Sequence, residues 1–492
     1  MISSSTKKIY FMGIGGTGMA AAAGLTKELG YEVLGSDHNL YPPMSTLLEE
    51  LKIPVLSPYD PENVTEATPD LLVIANVLSR GHKELEAGLN AGIPYTSFPA
   101  LLSELILKKR HAIVVSGTHG KTTTTSLLSH VLHELETDPS FVVGGIPQNF
   151  PRSFRLGSGP FVAIEGDEYD TAFFDKGPKF LHYCPKTLII NNIEFDHADI
   201  YPNLDAIKDR FKQLIRLVEV PKLIIANGDD HHTIDCLSAE GVGNQATLIS
   251  LKADHPTAQI KLVGSHHVPR QDRVWRVSFE TRLFGKVTLD TNLSGFHNLY
   301  NMGHVLGVIH QLVDQKALAA PSPKRLSQAF FSFKGVKRRL EHLGTVASIT
   351  VFEDFAHHPT AVASVIEGCR RDDPNKRILV AFEPKNATSR RNIFQDQYVK
   401  SLGKADQVFI GACPDDKRIG EGDKMNTSKL AHEIGSTARS FETNEDLLES
   451  LIHQASPEDI IVFMSSGSFS GIQHKTIERL EEKFSSLKNR KT

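Results

Sequence analysis

Cysteine is scarce in this chain. Its 492 residues hold four, Cys184, Cys236, Cys369 and Cys413, far apart and with no C-x-x-C pair. That excludes a disulfide framework and a zinc ribbon. Cys184, between Tyr183 and Pro185 beside an apolar run, is expected to be a buried reduced thiol. Long apolar runs are missing too: none approaches the roughly 20 residues needed to cross a bilayer. No charged leader with a separate apolar segment opens the chain, so a cytoplasmic protein is expected. Nor is there an excess of charge. A formal net charge of −4 argues against a general nucleic-acid or anionic-membrane binder. The basic cluster in the last few residues, Lys488-Asn489-Arg490-Lys491, reads as a solvated tail. Repeats at solenoid periods and low-complexity tracts are absent as well. With 40% hydrophobic and 23% charged residues, what remains is an ordinary globular composition. The length is too great for one core, and about 100–200 residues per domain gives three domains.

Against that background the run Gly117-Thr118-His119-Gly120-Lys121-Thr122-Thr123 is the most informative, because it follows the apolar stretch Ala112–Val115. A buried strand that breaks into a glycine loop and then a helix is a polyphosphate cradle. Its backbone N–H groups converge on phosphate oxygens and the helix N-terminus adds its dipole. Lys121 would place a point charge near the β- and γ-phosphates, and the Thr122 hydroxyl would be a ligand for Mg²⁺. The strict spacing, four residues between the two glycines, is not met, since Val115 stands five before Gly120. The competing reading is a structural glycine turn that merely contains a lysine. The strand–loop–helix context favours ATP.

A second glycine loop opens the chain. Lys8–Met12 reads as a strand, and Gly13-Ile14-Gly15-Gly16-Thr17-Gly18 is a G-x-G-x-x-G that leads into the helical run Met19–Leu29. A strand at Tyr31–Gly35 ends at Asp37, 19 residues beyond Gly18. This is the dinucleotide-binding fingerprint, acidic residue included. A strand at Leu71–Ala75 and a helix near His82–Ala91 follow, and the basic joint Lys108-Lys109-Arg110 closes the unit.

In the middle of the chain, strands at Phe161–Ile164, Thr187–Asn191 and Lys222–Ala226 imply a largely parallel sheet with ligands at its carboxyl ends. Val274–Glu280 and Lys286–Asp290 alternate around Phe284-Gly285, as an antiparallel edge hairpin would. Pro321-Ser322-Pro323 breaks the chain before a helix and the basic knot Lys334–Arg339. Strands at Ile349–Glu353, Arg377–Phe382, Gln407–Gly411 and Ile460–Met464 complete the pattern. We expect an α/β protein of three domains: a Rossmann-like domain at 1–109, a central P-loop ATPase domain at 110–335 and a C-terminal Rossmann-like domain at 336–492.

Candidate chemistry clusters where strands end. Glu165-Gly166-Asp167-Glu168-Tyr169-Asp170 follows one strand, and such carboxylates suit Mg²⁺, although a solvated acidic loop would look the same. Asp196-His197-Ala198-Asp199 follows another, where His197 and Glu165 would reach the same ion. The remaining histidines, among them His231-His232 and His266-His267, lack zinc spacing and read as surface residues. Asn298, in Gly295-Phe296-His297-Asn298, has the amide needed to pair with an adenine edge, and a helix N-cap is its alternative role. Asp354 would accept hydrogen bonds from a ribose, His357 would face the crevice, and Pro359 suits the first turn of a helix. The loop Ser465–Gly471 offers N–H groups and hydroxyls as a carboxylate nest, with Lys385 as a second anchor.

Seven motifs in this order resemble the Mur ligases, the cytoplasmic ATP-dependent ligases that build the peptide stem of peptidoglycan precursors. They are G-x-G-G-x-G-M, G-T-H-G-K-T-T-T, E-x-D-E-x-D, N-N-I-E-x-D-H, G-x-H-N-x-x-N, G-V-K-R-R and D-x-x-H-H-P. Within the family, Glu165–Lys176, His182–Pro185, Asn191–Ile200 and Met464–Ile472 look like the branch that recycles murein. That branch joins UDP-N-acetylmuramate to the tripeptide L-Ala-γ-D-Glu-meso-diaminopimelate. The alanine-adding branch usually carries a histidine and arginines in the stretch here running from Glu383 to Ser389, where this chain keeps Glu383-Pro384 and one base, Lys385. Gly166 stands where alanine is usual.

The resemblance implies ATP and Mg²⁺, an acyl-phosphate intermediate, and Lys121, Glu165 and His197 as catalytic residues. It implies metal ligation by Thr122, Glu165 and His197. ATP contacts would come from Gly117, Thr118, His119, Gly120, Lys121, Thr122, Thr123, His297, Asn298, Arg338 and Asp354. Gly13, Gly15, Gly16, Gly18 and Asp37 would grip the uridine diphosphate, and His357, Lys385, Ser466 and Ser468 the amine substrate. Lys212 lies fifteen residues after His197, where several Mur ligases carry a carbamylated lysine. Here it reads as a surface lysine. Three alternatives stand beside this one: a UDP-N-acetylmuramate–L-alanine ligase, a nicotinamide-dependent dehydrogenase, and a P-loop switch protein without ligase activity.

Overall fold

Short apolar strands alternating with helices give this chain three successive sheets. The computed structural model describes residues 5–268, 273–414 and 419–489. Ser3, Ser4, Arg490 and Lys491 lie outside the described residues. In the first sheet Lys8–Met12 lies at the centre, parallel to Glu32–Ser36 on one side and Leu71–Ile74 on the other. Val55–Leu56 and Tyr95–Thr96 complete the two edges. The central strands carry no alternation because helices cover both faces: Ile9 to Met12 and Leu72 to Ile74 are fully buried.

The helix Thr17–Glu28 buries the small residues Ala20 to Ala23. At Gly24 it meets Phe154 of the next unit so closely that an added Cβ would lie 2.2 Å from the ring. Glycine there is required by packing rather than by a turn.

Ten strands form the second sheet. Its middle is His111–Ser116, parallel to Thr187–Ile190 and to Phe161–Glu165. These three neighbours end together, so the loops after them share one crevice, as open parallel sheets require. The expected edge hairpin is present, with Trp275–Thr281 antiparallel to Gly285–Thr291. A further long strand, Ile260–His267, pairs antiparallel with Trp275–Thr281. The sequence reading missed it because a register shift between Leu262 and Gly264 breaks its alternation.

The third sheet has six strands, with Ile460–Ser465 between Ile349–Asp354 and Ile378–Glu383. Glu341–Val346 is its antiparallel edge. Ser322 accepts from Arg325 N and starts the helix Pro323–Phe331, as the proline-rich break suggested.

Two expectations about burial fail. Cys184 is half-buried, with φ at 44°, because it sits on a surface turn just before Pro185; Cys236 and Cys369 are the buried thiols. His130 and His304 are buried inside helices rather than on the surface, where apolar neighbours surround them. Among the described residues no helix is long and apolar enough to cross a membrane.

Candidate active site

The loop 117–120 leaves the end of His111–Ser116 and turns into the helix Lys121–Glu134 through Gly120, whose φ is 81°. A Cβ there would meet Asn191 Nδ2 at 2.7 Å and Asn301 Oδ1 at 2.8 Å, so both the turn and its crowding demand glycine. The strand-end asparagines pin the loop. His119 N donates to Asn192 Oδ1 at 2.8 Å, and Asn191 Nδ2 donates to His119 O at 3.1 Å. Thr118 N donates to Asn192 O at 2.9 Å, and Thr124 Oγ1 to Asn301 Oδ1 at 2.9 Å. Asn191, Asn192 and Asn301 were not singled out from sequence. Their amides are what give the loop one shape.

Lys121 does not point outward. Its Nζ lies 2.9 and 2.8 Å from the two Glu168 oxygens and donates to Gly117 O at 2.7 Å. On the other side of the same carboxylate, His197 Nε2 lies 3.0 Å from Glu168 Oε1. His197, expected to share one ion with Glu165, is engaged by Glu168 in this structure. Tyr201 explains the choice: its hydroxyl donates to Glu168 O at 2.6 Å and holds that residue under the lysine. Burial pushes the Glu168 carboxyl up, but Lys121 and His197 outweigh it and hold it below the usual range. For His197 burial pushes down, and Glu168 with Asp196 raises it above its ordinary value. Asp167, raised by burial but lowered by Lys179 at 2.7 Å and by Lys121, is held down to about 2.

Glu165 faces a different neighbourhood. Gly144 N donates to its Oε1 at 2.9 Å, and Thr122 and Arg339 stand close to it. Burial pushes its carboxyl up, in spite of those donors. Arg339 donates to Thr122 Oγ1 at 3.2 Å, so the guanidinium at the loop is Arg339. Arg338 turns the other way, to Glu353 Oε1 at 2.8 Å and to the carbonyls of Ser465, at 2.9 Å, and Gly467. Two adjacent arginines in a turn, where Arg338 has φ at 59°, project to opposite sides, and the sequence alone does not say which goes where. Thr123 is buried in the first turn of the helix.

Other expected ATP contacts are engaged within the protein. Asn298 donates to Ser294 O at 2.6 Å and accepts from Asn301 Nδ2 at 2.8 Å. It does not cap its helix, because Gly295 holds that position. Asp354 accepts from Leu340 N and Ala356 N, both at 2.6 Å, and so clasps the linker between sheets. His297 is beside Arg339 and His119, and burial first, then their charges, brings its ring down to about 4.

In the first domain Gly15 N donates to Asp37 Oδ2 at 2.7 Å, so Asp37 sits within the glycine loop. Gly13 N donates to Ser36 O at 2.8 Å, and Gly16 opens the helix with no side-chain cap. Gly18 packs on the Phe98 ring. Beneath lies Glu84, fully buried, which accepts from Tyr10 Oη at 2.9 Å, Asp60 N at 2.9 Å and Ser36 Oγ. Nothing in the sequence marks Glu84 as more than a helix residue.

In the third domain Lys385 runs across Gly467, where a Cβ would lie 2.7 Å from its Cγ. Its Nζ is 3.8 Å from Glu383 Oε1, and Ser465 Oγ donates to Glu383 Oε2 at 2.5 Å. Ser466 is half-exposed and Ser468 exposed beside it. His357 is not part of that group: its Nε2 lies 3.7 Å from Asp196 Oδ2, which ties the third domain to the central one. Lys212 pairs with Asp209 at 3.0 Å on its own helix.

Burial holds five histidines neutral in the fold: His111, His130, His297 and His358 are brought down to about 4, and His304 to about 3. The unfolded chain takes up these protons near pH 6.5 and the native chain does not. Their contribution is thus fully present above pH 6.5 and is lost as pH falls towards 4. Urea melts at stepped pH are expected to show stability already declining between pH 6.5 and 5. A flat profile across that window would contradict the assignment.

Three family models match the chain. "Mur ligase family, catalytic domain" covers residues 8–110, "Mur ligase middle domain" 115–309, and "Mur ligase, glutamate ligase domain" 338–467. The UDP-N-acetylmuramate–L-alanyl-γ-D-glutamyl-meso-2,6-diaminoheptandioate ligase of Escherichia coli is 36% identical, with 97% of this chain and 99% of that protein covered. The UDP-N-acetylmuramate–L-alanine ligase of Nitrosospira multiformis is 30% identical, over 95% of this chain and 92% of its own. The crystal structure of a murein peptide ligase from Psychrobacter arcticus superposes with a TM-score of 0.69 at 32% identity, covering 96% of this chain and 99% of that one.

Proposed function

Because the chain belongs to the Mur ligase family of ATP-dependent, amide-forming ligases, we propose that it joins UDP-N-acetylmuramate to L-Ala-γ-D-Glu-meso-diaminopimelate, in the cytoplasm, as a step of peptidoglycan recycling. The observation that carries the substrate choice is the full-length likeness, at 36% identity, to a ligase named for that tripeptide. The geometry of the third domain supports it. Lys385 beside the loop 466–468 offers a cation and N–H groups to carboxylates remote from the reacting amine. Domain limits at 109/110 and 335/336 belong to the same proposal.

The reaction has two transfers. The lactyl carboxylate oxygen bonds to the γ-phosphorus as ADP leaves. The peptide amine then bonds to the acyl carbon, loses a proton, and phosphate leaves. The first transfer brings two anions together and proceeds only where cations offset their repulsion. Lys121, Arg339 and the N-terminus of the helix Lys121–Glu134 supply that field. The residues also fit Mg²⁺: Thr122 and Glu165 are oxygen donors placed side by side, as a hard cation prefers. Bound there, Mg²⁺ would screen the phosphate charge. His197 acts on Lys121 through Glu168, as a positioning residue. In the first domain the uncapped helix start at Gly16, together with Gly13, Gly15 and Gly18, would receive the pyrophosphate of the UDP substrate. Asp37 would shift from Gly15 N or pair with the ribose.

Phosphate release with UDP-N-acetylmuramate tests the proposal directly. We expect kcat/KM to be higher for the tripeptide than for L-alanine, because the remote carboxylates help orient the amine. A preference for alanine would make the chain an alanine-adding ligase and leave the ATP chemistry unchanged. NADH absorbance is expected not to respond.

A further inference from the structure

Histidine spacing along the chain gives no metal site, but the fold assembles one. His119 stands in the ATP loop, Glu194 follows the strand Thr187–Ile190, and His358 caps the helix Pro359–Asp372 of the third domain. One donor atom from each lies within 4.8 Å of the other two. His119 Nε2 is 3.3 Å from Glu194 Oε2, and His358 Nδ1 is 3.6 Å from the same oxygen. The two imidazole rings are 4.7 Å apart between centroids. Donors at 2.0–2.1 Å around a tetrahedral ion stand about 3.3 Å from one another. Two of the three separations therefore already match, and the third, within 4.8 Å, needs a shift of at most about 1.5 Å.

The surroundings meet the other requirements of such a site. Thr360 Oγ1 donates to Glu194 Oε2 at 2.7 Å and holds the carboxylate, while Glu194 N donates to Thr118 Oγ1 at 2.8 Å and fixes the backbone beneath it. The His358 side chain is 6% exposed, and its Nδ1, the atom that faces Glu194, accepts a 3.3 Å contact from Thr360 N that an ion would displace. Glu194 and His358 also line a cavity of about 410 Å³ shared with Phe195, Phe394 and Lys400, which gives an ion a way in.

We infer that His119, Glu194 and His358 form a binding site for a divalent transition-metal ion of the Zn²⁺ or Co²⁺ type. Two imidazoles and one carboxylate favour such ions over Mg²⁺, which prefers oxygen donors and keeps its water. The site is distinct from the Thr122–Glu165 pair proposed for Mg²⁺. It also spans two domains. An ion bound here ties the ATP loop to the third domain, so it restrains the two against each other and slows turnover.

Titration of the full-length protein with Co²⁺ in millimolar Mg²⁺ tests this. We expect one equivalent to bind with visible d–d bands, Zn²⁺ to displace it, and ligase turnover to fall as the site fills. His358→Gln and Glu194→Gln are each expected to weaken Co²⁺ binding at least about tenfold, the lower bound for disturbing even an outer-shell partner. Near-UV circular dichroism establishes which variant is folded, and either one suffices. The inference is overturned if no equivalent binds, if Mg²⁺ abolishes binding, or if a folded variant binds like the parent.

Discussion

Methionine in place of Lys121 is expected to lower ligase turnover about 10²–10³-fold, the loss typical when one preorganised electrostatic stabiliser is removed. The side chain keeps its length and apolar stem, so the loop should keep its shape. What disappears is the cation that sits 2.8 Å from Glu168 at the start of the phosphate-binding helix. Stability should fall less than activity. Glu168 still accepts from His197, and a carboxyl that loses its cation can take up a proton instead of remaining a buried charge. Steady-state phosphate release together with a thermal melt measures both. Turnover within a few-fold of the parent in a folded variant would remove Lys121 from the chemistry.

Alanine in place of Glu168 should have the opposite balance, with a stability loss of about 3–5 kcal/mol, as when one member of a buried ion pair is removed. Its side chain is 3% exposed and serves two cations at once. Without it Lys121 retains only carbonyl partners, and His197 Nε2 has none. The pH dependence has a definite sign. The folded carboxyl is held below its ordinary value, so its contribution is present above about pH 4.5 and is lost as pH falls through the folded value. The deficit of the variant is therefore expected to be largest at neutral pH and to close on acidification. Urea denaturation at pH 7 and pH 4 reads it. Equal deficits at both would mean that Glu168 contributes packing and no charge.

Much of the fold is legible in the chain because its signals are local. A strand such as Leu71–Ile74, buried on every residue, leaves a continuous apolar run. Each glycine loop stands between a strand and a helix, so G-x-G-x-x-G and G-T-H-G-K-T could be placed without knowing the rest. The edge hairpin at 275–291 was legible for the same reason, since alternation and a Phe284-Gly285 turn lie within one short window. Ile260–His267 was not, because a bulge interrupts its period. Candidate residues at strand ends could be gathered in the same way, by knowing that parallel sheets bind ligands there.

Assignment within those clusters needed the tertiary structure. In Glu165-Gly166-Asp167-Glu168 all three carboxylates are plausible partners for Lys121, and spacing does not rank them. The fold ranks them through Tyr201, thirty-three residues on, which fixes the Glu168 backbone. Arg338 and Arg339 are chemically identical, and a turn with Arg338 at positive φ sends Arg339 to Thr122 and Arg338 to Glu353. His119, Glu194 and His358 come from three distant stretches and two domains, so no spacing rule finds them. The sequence by itself therefore determined the element types, their order and the two phosphate loops, because these depend on neighbours a few residues away. Which side chain meets which was decided only by the tertiary structure, because that depends on strand order and on how the third sheet docks against the second.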